Sequence, residues 1–405
     1  MNRRLARAWL CSLASAACSA PGHPAPAAPV PQGGARATAS TAAPPAQDYL
    51  ALVASESVDQ IAVVRFGPSG IRVERTNVTG IMPADVDGPH GVAVSPDGKY
   101  YYVSTAHGTP YGFLWKYALA NDSLAGRVML GNFPATLQVT PDGAFAYVVN
   151  FNLHGEMVPS SVSIVSTDEM VEVARVTTCT MPHGSRINAQ GTRHYSACMM
   201  DDLLVEIDTA TLKVARYFLL TKGTEAGFEG PPPQSRPGST AGTSMTHDMA
   251  GHGLERPNVP ADRCSPTWAQ PSPDGQSVFV ACNASSEIVQ IDIATWSMKR
   301  RWPAGLGVYN LAMTSDGRIV ATNKRGQSIS VFAADGRELA RLPTARRVVH
   351  GVAIPSDDRY AFVSIEGVGT EPGTVEMFDL RSLTRVATVD VPQQAGGIDV
   401  ITGAR

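Results

Sequence analysis

The chain has 405 residues, with 37 Gly, 30 Pro, 43% hydrophobic and only 17% charged residues. A turn-rich composition of this kind excludes a helical bundle, and its apolar share is too high for a disordered body. The formal net charge of −3 gives nucleic acid or an acidic membrane surface no electrostatic reason to bind.

Residues 1–18 read as an export signal. Arg3, Arg4 and Arg7 form a basic start, and the apolar run from Ala8 to Ala17 is too short for a permanent bilayer span. Two processing routes stand open. Ala14-Ser15-Ala16 offers a small-residue cleavage site, whereas Ser15-Ala16-Ala17-Cys18 is similar to a bacterial lipobox and would leave Cys18 lipidated. Ser15 stands where such a box normally has Leu. Residues 19–48 are rich in Ala, Pro and Gly. Pro21, Pro24, Pro26, Pro29 and Pro31 cannot sustain a helix or a central strand, so the stretch reads as a disordered tether.

From residue 49 to 405 one phrase recurs: a few apolar residues, a Ser-Pro-Asp-Gly-like turn, an aromatic-rich strand, then a polar loop. It opens at His90, Ala135, His183, Thr267, Tyr309 and His350. Asp-Gly between alternating apolar runs is a hairpin signal. A second hairpin follows in each copy, with turns such as Asp208-Thr209-Ala210-Thr211 and Asp292-Ile293-Ala294-Thr295. Each unit is therefore four short antiparallel strands, A to D, at the spacing of a propeller blade. Tyr49 to Val78 supplies strands B, C and D without an A. Gly396 to Val400 supplies an A alone. The fold class is all-β: a seven-bladed β-propeller of four-stranded antiparallel blades, with one blade closed by strands from both termini. Closure removes the open sheet edges. A long insert, residues 221–263, joins blade four to blade five; loops of that length are usually functional or disordered.

Tyr147-Val148-Val149-Asn150, the weaker Tyr102-Val103-Ser104-Thr105, and the turns at Asp97, Asp142 and Asp274 resemble the YVTN-type β-propeller repeat family. The resemblance covers roughly residues 49–400. It implies the propeller fold and no single function, because that family includes scaffolds, surface proteins and enzyme subunits.

Four cysteines fall in the repeating body. Cys179 and Cys264 each precede a strand A, and Cys198 and Cys282 each end the strand B of the same blade. The repeat selects the pairing Cys179–Cys198 and Cys264–Cys282 among three connectivities. Such bridges need an oxidising compartment, in agreement with export to the periplasm or cell envelope. The rival reading makes these cysteines soft copper ligands.

The opening residue of strand A rings the mouth of the central channel. It is His90, His183 and His350 on blades two, four and seven, so the three imidazoles can converge. His107 and His154 follow strands B and open on the same face. The insert carries Met245, His247, Met249 and His252, and thioether with imidazole suits copper, Cu(I) especially. The leading expectation is an exported metal-binding propeller with copper at the mouth. Against it stands an inherited packing element, in which each His hydrogen-bonds to the next blade and binds nothing. That reading gives a metal-free scaffold whose broad face meets a protein or a ligand such as a glycan in the periplasm, or a protein on the membrane. A propeller lactonase or lyase is the third alternative. It would use calcium, the less favoured metal, held by carboxylates such as Asp201, Asp202 and Glu366. Membrane attachment is expected only through a lipid on Cys18.

Overall fold

The computed structural model describes residues 38–39, 44–82, 86–106, 111–153, 155–230 and 260–402. Its strands form seven sheets, each with four consecutive antiparallel strands at its core. The innermost strands run Ala395–Thr402, Pro89–Val94, Pro134–Val139, Pro182–Ile187, Pro266–Pro271, Val308–Met313 and Val349–Ala353 for blades one to seven. Each touches the next, and the seventh returns to the first, so the ring is closed. Closure falls where the two half-units predict it. Ala395–Thr402 pairs with Tyr49–Ser55, with Leu52 opposite Asp399 and Tyr49 opposite Thr402. Among the described residues no helix is long and apolar enough to cross a membrane.

The turns follow from the repeated residues. Ser95 Oγ donates to Asp97 Oδ1 at 2.6 Å and accepts Tyr100 N at 3.0 Å, and Gly98 takes φ +68°. Thr140–Asp142 and Ser272–Asp274 repeat the bond. Blade seven lacks the glycine, and Asp358 takes its left-handed place at φ 56°.

The core lies between blades. Strand Tyr49–Ser55 is buried on both faces, because neighbouring blades cover both sides of its sheet. One face contributes Leu50, Leu52 and Ala54 to a cluster with Tyr101 and Trp115 of blade two. The other packs Tyr49, Ala51 and Val53 against Phe362 and Met377 of blade seven. Outer strands face water on one side, and Gly70–Val78 alternates half-buried and exposed residues accordingly.

Both expected disulfides are present. Cys179–Cys198 spans 6.0 Å between Cα atoms, and Cys264–Cys282 spans 4.4 Å. Cys179 lies in the outer strand of blade three, Val171–Thr180. The first bridge therefore ties the blade three-to-four crossover to blade four. Two features lie outside the four-strand rule. Thr38 and Ala39, within the stretch read as a tether, pair with Thr388 and Ala387 on the edge of blade seven. Ala226–Phe228, at the start of the insert, adds a fifth strand to blade four.

Candidate functional site

Each inner strand begins with a bulge. Its pairing with strand B slips between Pro89 and Gly91, between Pro182 and Ser185, and between Val349 and Val352. A bulge re-aims side chains, and here it falls at the three histidines. The glycine after each one is a packing requirement. A Cβ on Gly91 would sit 2.2 Å from the Ala135 carbonyl oxygen, and one on Gly184 would sit 2.2 Å from that of Thr267. No side chain fits where adjacent inner strands approach so closely. Hydroxyls complete the seam: Thr136 donates to the His183 carbonyl and Thr322 to that of His350.

The three histidines do meet. The His90 ring centroid lies 6.0 Å from His183 and 5.8 Å from His350, with ring planes at 84° and 86°. Tyr309, the equivalent residue of blade six, closes the far side at 5.4 Å from His183 and 4.9 Å from His350. Phe151 backs His183 at 4.8 Å and Phe133 backs His90 at 5.6 Å.

Hydrogen bonds set the tautomers. His183 Nδ1 lies 3.0 Å from the Thr267 carbonyl of blade five, which can only accept, so Nδ1 carries the proton. Its Nε2 then accepts from the Tyr309 hydroxyl at 3.0 Å. His90 Nδ1 faces Glu56 Oε2 at 3.1 Å, and its Nε2 is buried with no hydrogen-bond partner among the described residues. His350 Nε2 lies 3.8 Å from Glu366 Oε1, which also takes Lys324 Nζ at 2.9 Å. The Lys324 ammonium sits 4.4 Å above the Tyr309 ring. Burial is the largest influence and works against its charge, but Glu366, together with Tyr309 and Glu56, holds its pKa above the ordinary lysine value.

Glu56 and Lys324 were missed by the sequence reading, yet they have a register. The residue directly after strand B is Glu56, Ala106, Phe151, Met199, Asn283, Lys324 and Glu366 in blades one to seven. This second ring surrounds the first and supplies its charges. Of the other carboxylates, Asp201 accepts the Thr180 amide at 2.7 Å and Asp202 pairs with Arg263 at 2.9 Å. His107, His154, Met245, His247, Met249, His252 and Cys18 lie outside the described residues. Among the described residues no group of three or more His, Cys, Asp or Glu is arranged to hold a metal ion. The mouth as it stands is an imidazole–phenol cluster beside a buried Lys–Glu pair, able to hold and pass protons or to offer nitrogen lone pairs after a small rearrangement.

No protein-family model matches the chain, and no curated protein matches it. Solved structures do. Hydrazine synthase of Kuenenia stuttgartiensis matches at TM-score 0.54 and 20% identity, over 74% of this chain and 80% of that one. A functionally unknown protein from Desulfotomaculum acetoxidans matches at TM-score 0.62 and 12% identity, over 87% of this chain and 98% of that one. At these identities the likeness is one of fold, and the chain is a seven-bladed β-propeller with a His-rich channel mouth.

Proposed function

We propose that this is an exported propeller that captures a transition-metal ion at its channel mouth, with copper favoured and His90, His183 and His350 as the first ligands. One observation carries the reading: the imidazoles of His183 on blade four and His350 on blade seven both stand within 6.0 Å of that of His90 on blade two, centroid to centroid. Two of them have Nδ1 held by a second group, Glu56 for His90 and the Thr267 carbonyl for His183. That is the outer-shell bonding that orients a metal-ligating imidazole through Nε2. Binding requires the Tyr309 hydroxyl to leave His183. His107, His154 and the Met245–His252 run of the insert would complete the site, their thioethers selecting copper. The disulfides suit an oxidising compartment. Export into the periplasm or envelope, with a lipid on Cys18 as the membrane attachment, fits that setting.

A second reading is favoured by a different observation. His183 has both ring nitrogens engaged, one by the next blade, as a packing histidine would. On that reading the ring is structural, and the face meets a protein partner without metal. No observation favours a calcium lactonase or lyase, since Glu366 is paired with Lys324 and Asp202 with Arg263.

Copper titration by calorimetry, with metal analysis of protein from its native host, separates the two main readings. The parent should bind about one copper per chain, and joint replacement of His90, His183 and His350 by Ala should weaken binding at least about 100-fold while the circular dichroism is retained. Binding should weaken on acidification, because a protonated imidazole has no lone pair to give the metal. A parent that takes no copper, or a triple variant that binds like the parent, overturns the metal reading.

A further inference from the structure

Three residues further along each inner strand lies another ring of the channel, roughly 10 Å deeper. Blades three, four and five place Gln138, Arg186 and Gln270 there, blade one places Asp399, and blades six, seven and two place Ala312, Ala353 and Ala93. The ring is thus divided. A wall of amide and guanidinium side chains faces a single carboxylate on the opposite side, and alanines leave space between them. A cavity of about 160 Å³ opens at this level, lined by Arg186, Gln270, Ala312, Ala353 and Asp399 among others.

Each charge is held in place by the protein, and the two attract each other across the cavity too weakly to offset their burial. Arg186 stacks on Trp268, 4.3 Å from the ring centroid, and donates Nη1 to the Ser185 carbonyl at 2.8 Å. It makes no salt bridge with a carboxylate among the described residues. Asp399 accepts the Val94 amide at 2.8 Å and the Val400 amide at 2.9 Å. Burial pushes the Arg186 guanidinium down to about 10 and pushes the Asp399 carboxyl up. Both directions mean that the surrounding groups under-compensate the charge. A ligand carrying both counter-charges would relieve both at once.

We propose that this cavity binds a small zwitterion of α-amino-acid type, its carboxylate on Arg186 and Gln270 and its ammonium on Asp399. The size agrees: about 160 Å³ is well below the roughly 300 Å³ where drug-sized pockets begin, and suits a molecule of a few non-hydrogen atoms. Planar bidentate recognition of a carboxylate is the work arginine does best. A simple anion would meet Asp399 and a simple cation would meet Arg186, so opposite walls select against either alone. The site is separate from the histidine mouth and does not depend on the metal reading.

Calorimetric titration of the whole protein with L-serine, propionate and ethylamine tests the assignment. L-serine should bind, and propionate and ethylamine, which each satisfy one wall, should bind at least about tenfold more weakly. Arg186→Gln and Asp399→Asn should each cut L-serine affinity by about tenfold or more. Ala353→Leu fills the cavity while leaving both charges, and it should abolish binding in a protein with unchanged circular dichroism. Absence of L-serine binding up to about 10 mM leaves a water-filled cavity and overturns the proposal. Binding that survives both Ala353→Leu and Arg186→Gln lies elsewhere and overturns it equally.

Discussion

His194 shows how costly a single buried side chain can be in this fold. It is fully buried in strand Arg193–Cys198, stacked on Tyr147 at 5.0 Å, and neither ring nitrogen has a hydrogen-bond partner among the described residues. Burial, with the nearby Arg186 charge, pushes its pKa down to about 3. The neutral ring is the folded form. A base whose folded pKa is depressed contributes stability above its unfolded pKa of about 6.5, and that contribution is lost as pH falls toward 3. At pH 4.5 the loss is about 3 kcal/mol at most. His194→Phe keeps the stack and removes two unsatisfied nitrogens. Its melting temperature should match or exceed the parent at pH 7, and the drop between pH 7 and pH 4.5 should shrink by several degrees. Scanning calorimetry at the two pH values decides; an unchanged drop would show that His194 does not set the acid limb. Position in a repeat made the mouth histidines legible, because register alone brings His90, His183 and His350 to one level. Of their partners, Glu366 was legible as a carboxylate near the mouth, whereas Glu56 and Lys324 were not. Glu56 follows a strand of the incomplete first unit, and Lys324 and Glu366 meet only because blades six and seven are neighbours in the ring.

At the scale of the element, the repeat dictated the disulfides because equivalent strand ends carry the same geometry in each blade. Cys198 sits opposite Pro182 and Cys282 opposite Pro266, at the same place in the A–B pair. The bridges close segments of 19 and 18 residues. In the chain-entropy account such loops contribute about 3 kcal/mol each, and nearly equally. Replacing both cysteines of either pair by Ala should therefore lower the denaturation free energy by about 2–4 kcal/mol, and the two double variants should lie close together. Urea denaturation of both measures this. A far larger loss for Cys179/Cys198 would mean that tying blade three to blade four does more than shorten the unfolded loop. The inner-strand bulges were not readable from residue pattern. They fall at the histidines themselves, where a bulge re-aims the side chain.

The closed ring is a property of the whole molecule. Blade one exists only because Ala395–Thr402 returns to Tyr49–Ser55. Removing that strand leaves unpaired backbone on Tyr49–Ser55 and strips Ile398 from the core shared with Ala353 and Phe362. It also takes Asp399 from the channel and leaves Gly351 facing no neighbour at Gly396. Deleting residues 395–405 should abolish cooperative unfolding, or lower the melting temperature by more than any single substitution above. Such a loss could come from truncation as such, so the decisive variant keeps every residue of the strand. Thr402 and Tyr49 are paired partners, so a short hairpin loop can join them, with new termini opened between Val391 and Ala395. This circular permutant puts the same strand in the same place through a different covalent path. If closure is what stabilises the ring, the permutant melts as the parent does while the deletion does not. A permutant as unstable as the deletion would locate the stability in the natural order of the chain instead.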